Sequence, residues 1–168
     1  WYISVDGSNE GDGSIDNPFS SIQSGIESSE SGDSVLVGPG TYNEQIRYYG
    51  KQIVVMSTDG AENTIIDYNI ANVMFENEES GSILRGFTLT GNGSDQGVYI
   101  GSYANPVLQD IVIYNKHTAI YCQYNSDNVS LINVTLVDND FGIDLNYSTD
   151  VILTNSIVWQ SPIQLSSP

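Results

Sequence analysis

Apolar positions in this chain come in short alternating runs, and from Ser34 onward those runs are β-branched and strand-sized. Val35-Leu-Val37, Ile53-Val-Val55, Thr64-Ile-Ile66 and Val73-Met-Phe75 are separated by breakers such as Gly38-Pro-Gly40, Asp59-Gly60 and Asn92-Gly93. Each run is too short to be a helix, so this part of the chain is predicted to be all-β.

The pattern then begins to repeat. Leu108-Gln-Asp110-Ile-Val-Ile113 aligns with Leu131-Ile-Asn133-Val-Thr-Leu136 and with Leu153-Thr-Asn155-Ser-Ile-Val158, at offsets of 23 and 22 residues. Each block is followed by a polar turn and a second apolar pair, at Ala119-Ile-Tyr-Cys122, Gly142-Ile-Asp-Leu145 and Pro162-Ile-Gln-Leu165. A looser copy precedes them at Leu84-Arg-Gly86-Phe-Thr-Leu89 and Gly97-Val-Tyr-Ile100. A fixed period of this length, with like side chains at like places, is the signature of a solenoid making one turn per repeat.

Stacked turns place equivalent residues about 4.8 Å apart, the spacing of neighbouring strands. Val98, Ile120 and Ile143 are then one inward column, and Ile100, Cys122 and Leu145 another. Asp110, Asn133 and Asn155 fall at a bend between strands, where side-chain amides bond up and down the stack as a ladder. Gly86 interrupts that ladder in the earliest copy.

One helix is expected, near the start. Asn17 suits its cap, Pro18 its first turn, and Phe19, Ile22 and Ile26 make one apolar face across 18–30 before Ser31-Gly32-Asp33 stops it. A lone one-faced helix in a β chain is suited to covering the end of a stacked core. The expected organisation is therefore 1–33 as strand, loop and cap helix, 34–165 as solenoid turns, and 166–168 as a tail, all in a single domain of 1–168.

The repeat and the opening together resemble the right-handed parallel β-helix proteins of the pectate-lyase-like superfamily. The repeat contributes Leu-x-Asn at the bend and Gly-Ile opening the next strand; the opening contributes Asp6-Gly, Asn17-Pro-Phe, Gly32-Asp, Val35-Leu-Val and Pro39-Gly-Thr-Tyr42-x-Glu44. The resemblance implies a right-handed single-stranded parallel β-helix of three strands per turn and about six turns, closed by an N-terminal helical cap. It does not carry an activity, because the superfamily holds lyases, hydrolases, esterases, adhesins and structural surface proteins.

Composition narrows the partners. The chain has 168 residues with 4 Lys+Arg against 21 Asp+Glu, a net charge of −17, which repels phosphate backbones and anionic lipid. No apolar run approaches the roughly 20 residues of a membrane span. Such acidity suits an extracellular or cell-surface setting and cation binding. Beginning at Trp1 without Met, the chain is expected to be a processed product or an excised piece.

Candidate chemistry is sparse. Four acidic side chains between Asp6 and Asp16, with Asp12 between them, form an oxygen-rich loop for Ca²⁺, although the spacing is not that of an EF-hand. Asp138 and Asp140 are a second such pair. The lyases of the superfamily use a basic residue beside Ca²⁺-holding acids, for which Lys116 and His117 are the nearest candidates here; the paired Asp and Gly-His-Gly of its hydrolases are not found. Tyr99 and Tyr121, followed in successive turns by Tyr103, Tyr124 and Tyr147, define an outward tyrosine strip. That strip suits sugar stacking, a protein interface or simple cross-strand support.

Asn92, Asn128, Asn133 and Asn146 lie in Asn-x-Ser/Thr sequons. Asn133 is reserved by its ladder, leaving Asn92, Asn128 and Asn146 as glycosylation candidates. Cys122, the only cysteine, reads as a buried small hydrophobe. Two functions are carried forward. The first is an extracellular non-enzymatic structural module that self-associates through an uncapped C-terminal turn, head to tail into filaments. The second is a carbohydrate-binding or polysaccharide-lyase-like domain acting on acidic glycans.

Overall fold

A computed structural model of the chain describes residues 1–76, 80–126, 128–146 and 150–166, and leaves the side chains of Ser80, Leu165 and Ser166 undescribed. It opens with β1 (Tyr2–Ser8) and α1 (Ile22–Ser28). Strands then follow in triplets. The first is β2 (Ser34–Val37), β3 (Gly40–Tyr42) and β4 (Ile46–Arg47); the second is β5 (Val54–Ser57), β6 (Thr64–Asp67) and β7 (Val73–Phe75). The third is β8 (Ser80–Arg85), β9 (Thr88–Thr90) and β10 (Gln96–Ile100), and the fourth β11 (Asn105–Gln109), β12 (Val112–Tyr114) and β13 (Thr118–Cys122). The fifth is β14 (Val129–Ile132), β15 (Thr135–Val137) and β16 (Phe141–Asn146), and the sixth β17 (Val151–Thr154), β18 (Ile157–Trp159) and β19 (Ile163–Ser166).

Every triplet places one strand in each of three parallel sheets. The orders are β1-β2-β5-β8-β11-β14-β17, β3-β6-β9-β12-β15-β18 and β4-β7-β10-β13-β16-β19. The chain is thus an all-β parallel solenoid with three strands per turn and about five turns rather than the six expected, since the end strands of each six-stranded sheet are five steps apart. The predicted columns are met in register: Val98 pairs with Ile120 and Ile120 with Ile143, while Ile100 pairs with Cys122 and Cys122 with Leu145. All but Leu145 are buried, and Leu145 packs against the same core.

The helix differs from expectation at its start. It begins at Ile22, and Ser21 caps it by accepting from Ser24 N at 3.1 Å. Asn17 is occupied elsewhere: its carbonyl accepts from Asp12 N and Gly13 N, which closes the acidic loop into a turn. Phe19, placed on the helical face by spacing alone, instead forms isolated parallel bridges with Ile3 and Ser8. Extended pairing with β1 therefore takes the residues that a helix of 18–30 would need. Ile22 and Ile26 do face inward and are fully buried over the first turn.

From the third triplet onward, the corner between the first and second sheets is made by one left-handed residue. Asp110, Asn133 and Asn155 have φ of 55°, 54° and 50°, and Gly86 takes 79° at the equivalent place. Asn and Asp tolerate this region because their short polar side chains bond locally, and Gly because it has no Cβ. Asn155 Nδ2 donates to Asn133 Oδ1 at 2.6 Å, and Asn133 Nδ2 donates to Asp110 Oδ1 at 2.9 Å. The ladder has a direction, with each amide donating toward the N-terminal end. It stops on a carboxylate that Arg85 meets at 3.3 Å, since Gly86 offers no side chain to continue it.

Candidate functional site

The outward face of the third sheet carries the tyrosines. Its central column runs Arg47, Met74, Tyr99, Tyr121, Asp144 and Gln164. The rings of Tyr99 and Tyr121 stack at 5.7 Å with an interplanar angle of 17°. Both hydroxyls are held from the next turn, Tyr99 by Gln123 and Tyr121 by Asn146 Nδ2 at 2.6 Å. Burial and the neighbouring Tyr121 push the Tyr99 phenol upward.

Each ring spends one face on the other. Cross-strand support accounts for the pair directly. Tyr103 and Tyr124 lie in the turns beyond, 61% and 56% exposed, and are the tyrosines of the strip that offer area to a partner. Tyr147 lies outside the described residues. Beside Tyr99 is a hollow of about 200 Å³ lined by Glu76, Gly101, Ser102 and Gln123, where Glu76 is also paired with Arg47 at 3.0 Å.

Lys116 and His117 leave one turn in opposite directions. Lys116 is 1% exposed, and its Nζ donates to Tyr68 O and Ile70 O, both at 2.9 Å. Its reach back past the third triplet is possible because residue 91 is glycine: a Cβ there would stand 2.5 Å from Tyr68 O and 2.9 Å from the Lys116 ammonium. Burial lowers the Lys116 amine to about 8, opposed by Asp95 and Asp67. In sequence the inward Lys116 is indistinguishable from a turn residue, yet it heads a buried polar stack. Its amide N donates to Asn139 Oδ1 at 3.0 Å, and Asn139 N donates to Ser161 Oγ at 3.1 Å.

His117 is exposed, with Nδ1 2.9 Å from Asp140 Oδ2 and its ring edge-on to Phe141 at 5.4 Å. The two basic candidates therefore do not converge on one reacting position: one braces the interior and the other pairs across the outer surface. Cys122 is fully buried and its thiol is pushed up to about 12 by burial first and Asp144 second, which leaves no thiolate for chemistry.

The acidic candidates are dispersed. Asp12 accepts from Ser14 N at 2.9 Å, and hydrogen bonds from Ser14 hold its carboxyl below the usual range. Asp6 is anchored through its backbone N to Ser4 Oγ at 3.2 Å, and Asp16 is exposed. Asp138 is a left-handed corner residue with φ of 53°, in a second such column with Asn115 and Gln160. Among the described residues no three His, Cys, Asp or Glu side chains gather as a metal site.

Of the sequons, Asn92 and Asn128 are exposed. Asn92 Oδ1 accepts from Ser94 N at 3.2 Å and from Ser94 Oγ at 2.6 Å. The amide of Asn146 is committed to Tyr121, as given above. Among the described residues no helix is long and apolar enough to cross a membrane.

The largest departure from ordinary burial is at the last triplet. Leu84, Leu108 and Leu131 are 0% exposed, whereas Leu153 in the same column is 42% exposed; Ile143 is 1% exposed and its successor Ile163 is 52%. Ile152, Ile157 and Trp159 add 54%, 59% and 64%. β17, β18 and β19 each stand at the end of their sheet. Comparison with family models, with curated proteins and with solved structures finds no match to the chain.

Proposed function

We propose that the chain is a non-enzymatic structural module of an extracellular or cell-surface assembly, built on the pectate-lyase-like plan and self-associating through its last turn. The observation that carries this reading is the separation of the basic candidates into structural contacts, Lys116 held inside by Tyr68 O and Ile70 O at 2.9 Å and His117 paired outside with Asp140, and self-association is placed at the last described triplet, where Leu153 and Ile163 are 42% and 52% exposed. The dispersal of basic and acidic candidates supports a structural role over a catalytic one. Sedimentation of the purified chain across a concentration series tests the reading: self-association that Ile157→Asp abolishes is expected, and a monomer at every concentration would sink it.

A second reading, a site for an acidic glycan, draws on the exposed rings of Tyr103 and Tyr124 beside the polar hollow at Tyr99. Uronate oligosaccharide that perturbs tyrosine fluorescence in the native chain and not in Tyr103→Ala/Tyr124→Ala would support it.

A further inference from the structure

We infer that Asn92 is a site of self-modification: its side-chain amide is lost as ammonia through a cyclic imide with Gly93, which leaves an aspartyl or isoaspartyl residue at position 92. The reaction needs no partner chain. Asn92-Gly93 is the one Asn-Gly pair in the sequence, and it lies in the turn before β10 with Asn92 exposed. Glycine matters at the second place because it brings no side chain to block the approach of its nitrogen to Asn92 Cγ, and its left-handed φ of 78° keeps the place for glycine.

The reacting groups are set apart from the rest of the hydrogen-bond network. Ser94 N donates to Asn92 Oδ1 at 3.2 Å, and Ser94 Oγ stands 2.6 Å from the same oxygen. Ser94 Oγ also lies 3.1 Å from Asn69 O, which ties this turn to the one before it. A backbone N–H can only donate, so the oxygen is the atom held and Nδ2 is the atom left over. Among the described residues neither Asn92 Nδ2 nor Gly93 N has a hydrogen-bond partner. The turn leaves nucleophile and leaving group free and grips only the oxygen on which charge develops.

Other corner asparagines are held differently. Asn133 Nδ2 donates to Asp110, and the next amide, Val134 N, donates to Ser156 Oγ at 3.1 Å. Asn115 Nδ2 donates to Gly91 O, and Lys116 N donates to Asn139 Oδ1. In both, the atoms that would leave and attack are occupied.

At Asn92 each step balances. Gly93 N gives its proton to a solvent base and bonds to Asn92 Cγ, while the carbonyl electron pair moves onto Oδ1. The oxyanion meets two donors already in place, Ser94 N and Ser94 Oγ. The Cγ–Nδ2 bond then breaks, and the nitrogen takes a proton from water and departs as ammonia. Water opens the five-membered ring at either carbonyl, and one negative charge is added. The isoaspartyl form carries an extra main-chain carbon between the second and third sheets, a segment whose length already differs between turns, so β10 is expected to keep its register.

The test uses the native chain made in a host without N-glycosylation, because Asn92 also heads a sequon. It is held in mildly alkaline buffer, folded and separately in urea, and position 92 is followed by peptide mapping and an isoaspartate assay. In the folded chain position 92 is expected to convert ahead of every other asparagine, with ammonia released in step. Ser94→Ala is expected to slow the folded chain by roughly twofold to tenfold, the range set by one neutral hydrogen bond, and to leave the rate in urea unchanged. Ser94→Thr keeps the hydroxyl and is expected to keep the rate. Position 92 staying intact in the folded chain while it converts in urea would overturn the site, as would conversion spread evenly over Asn92, Asn115 and Asn133. An unchanged folded rate in Ser94→Ala would overturn the assignment of its hydroxyl as oxyanion donor.

Discussion

Glu44 and Lys51 hold opposite ends of the same helix. The Glu44 carboxylate accepts from Ile22 N at 2.8 Å and Gln23 N at 3.0 Å, while Lys51 Nζ lies 2.7, 2.9 and 2.9 Å from the carbonyls of Ile26, Glu27 and Ser29. α1 has no acidic residue in its first turn and no basic residue in its last. The charges that complement its dipole are supplied by the first solenoid turn and the turn after it. At seven residues the helix is below the length that holds itself in water, so its formation and its docking are one event.

Removing the lysine strands three carbonyls at once. Lys51→Met is expected to destabilise the chain by about 1–3 kcal/mol, read as a lower urea midpoint. Faster amide exchange confined to α1 and β1 would show that the loss is local to the cap.

The corner ladder separates backbone strain from hydrogen bonding at a single residue. Asn133→Gly and Asn133→Ala both lose the amide that links Asp110 to Asn155, but only alanine must hold φ near 54° with a Cβ. The alanine variant is expected to be the less stable by about 1 kcal/mol. Equal urea midpoints would remove the left-handed geometry from the account.

Lys116 gives a pH dependence of known sign. Its amine is lowered from 10.5 to about 8 in the fold, so between those values the unfolded chain binds a proton that the folded chain has released. Stability therefore rises with pH across that window, relative to a chain without the group. Urea midpoints of native and Lys116→Met chains, measured from pH 7.5 to 10.5, are expected to diverge in slope there. Parallel curves would contradict it.

Cys122, fully buried and with its thiol pushed up to about 12, is expected to resist iodoacetamide in the native chain and to react once urea unfolds it. Alkylation of the native chain at the unfolded rate would mean that the core opens around Ile100 and Leu145.

The solenoid was readable in the sequence because its core is written in columns. Ile100, Cys122 and Leu145 recur at one period, and so do Asp110, Asn133 and Asn155, and a period survives without any knowledge of contacts. The grip on α1 was not readable, since Glu44 and Lys51 lie 21–25 residues from the atoms they hold and follow no repeat. Lys116 was misread for a different reason. A charged side chain at an inward position violates the apolar pattern that reveals the core columns, and the carbonyls of Tyr68 and Ile70 make the exception intelligible. The repeat sets Tyr99 beside Tyr121 in register, but which faces remain free depends on how the rings stack.

The single-residue corner has a bearing on where this molecule tolerates added length. Five residues separate Leu84 from Leu89, Leu108 from Ile113, Leu131 from Leu136 and Leu153 from Val158, so no turn from the third onward has gained or lost anything there. The segment from the second sheet to the third does vary, with five residues from the corner Asp138 to Ile143 and three from the corner Gln160 to Ile163. The segment from the third sheet back to the first varies too, from ten residues between Val98 and Leu108 to eleven between Ile120 and Leu131. A peptide epitope or a foreign loop grafted after Gly101 or Gln123 would extend outward from a frame that keeps its register. The same graft at Asp110 or Asn133 would uncouple every turn beyond it.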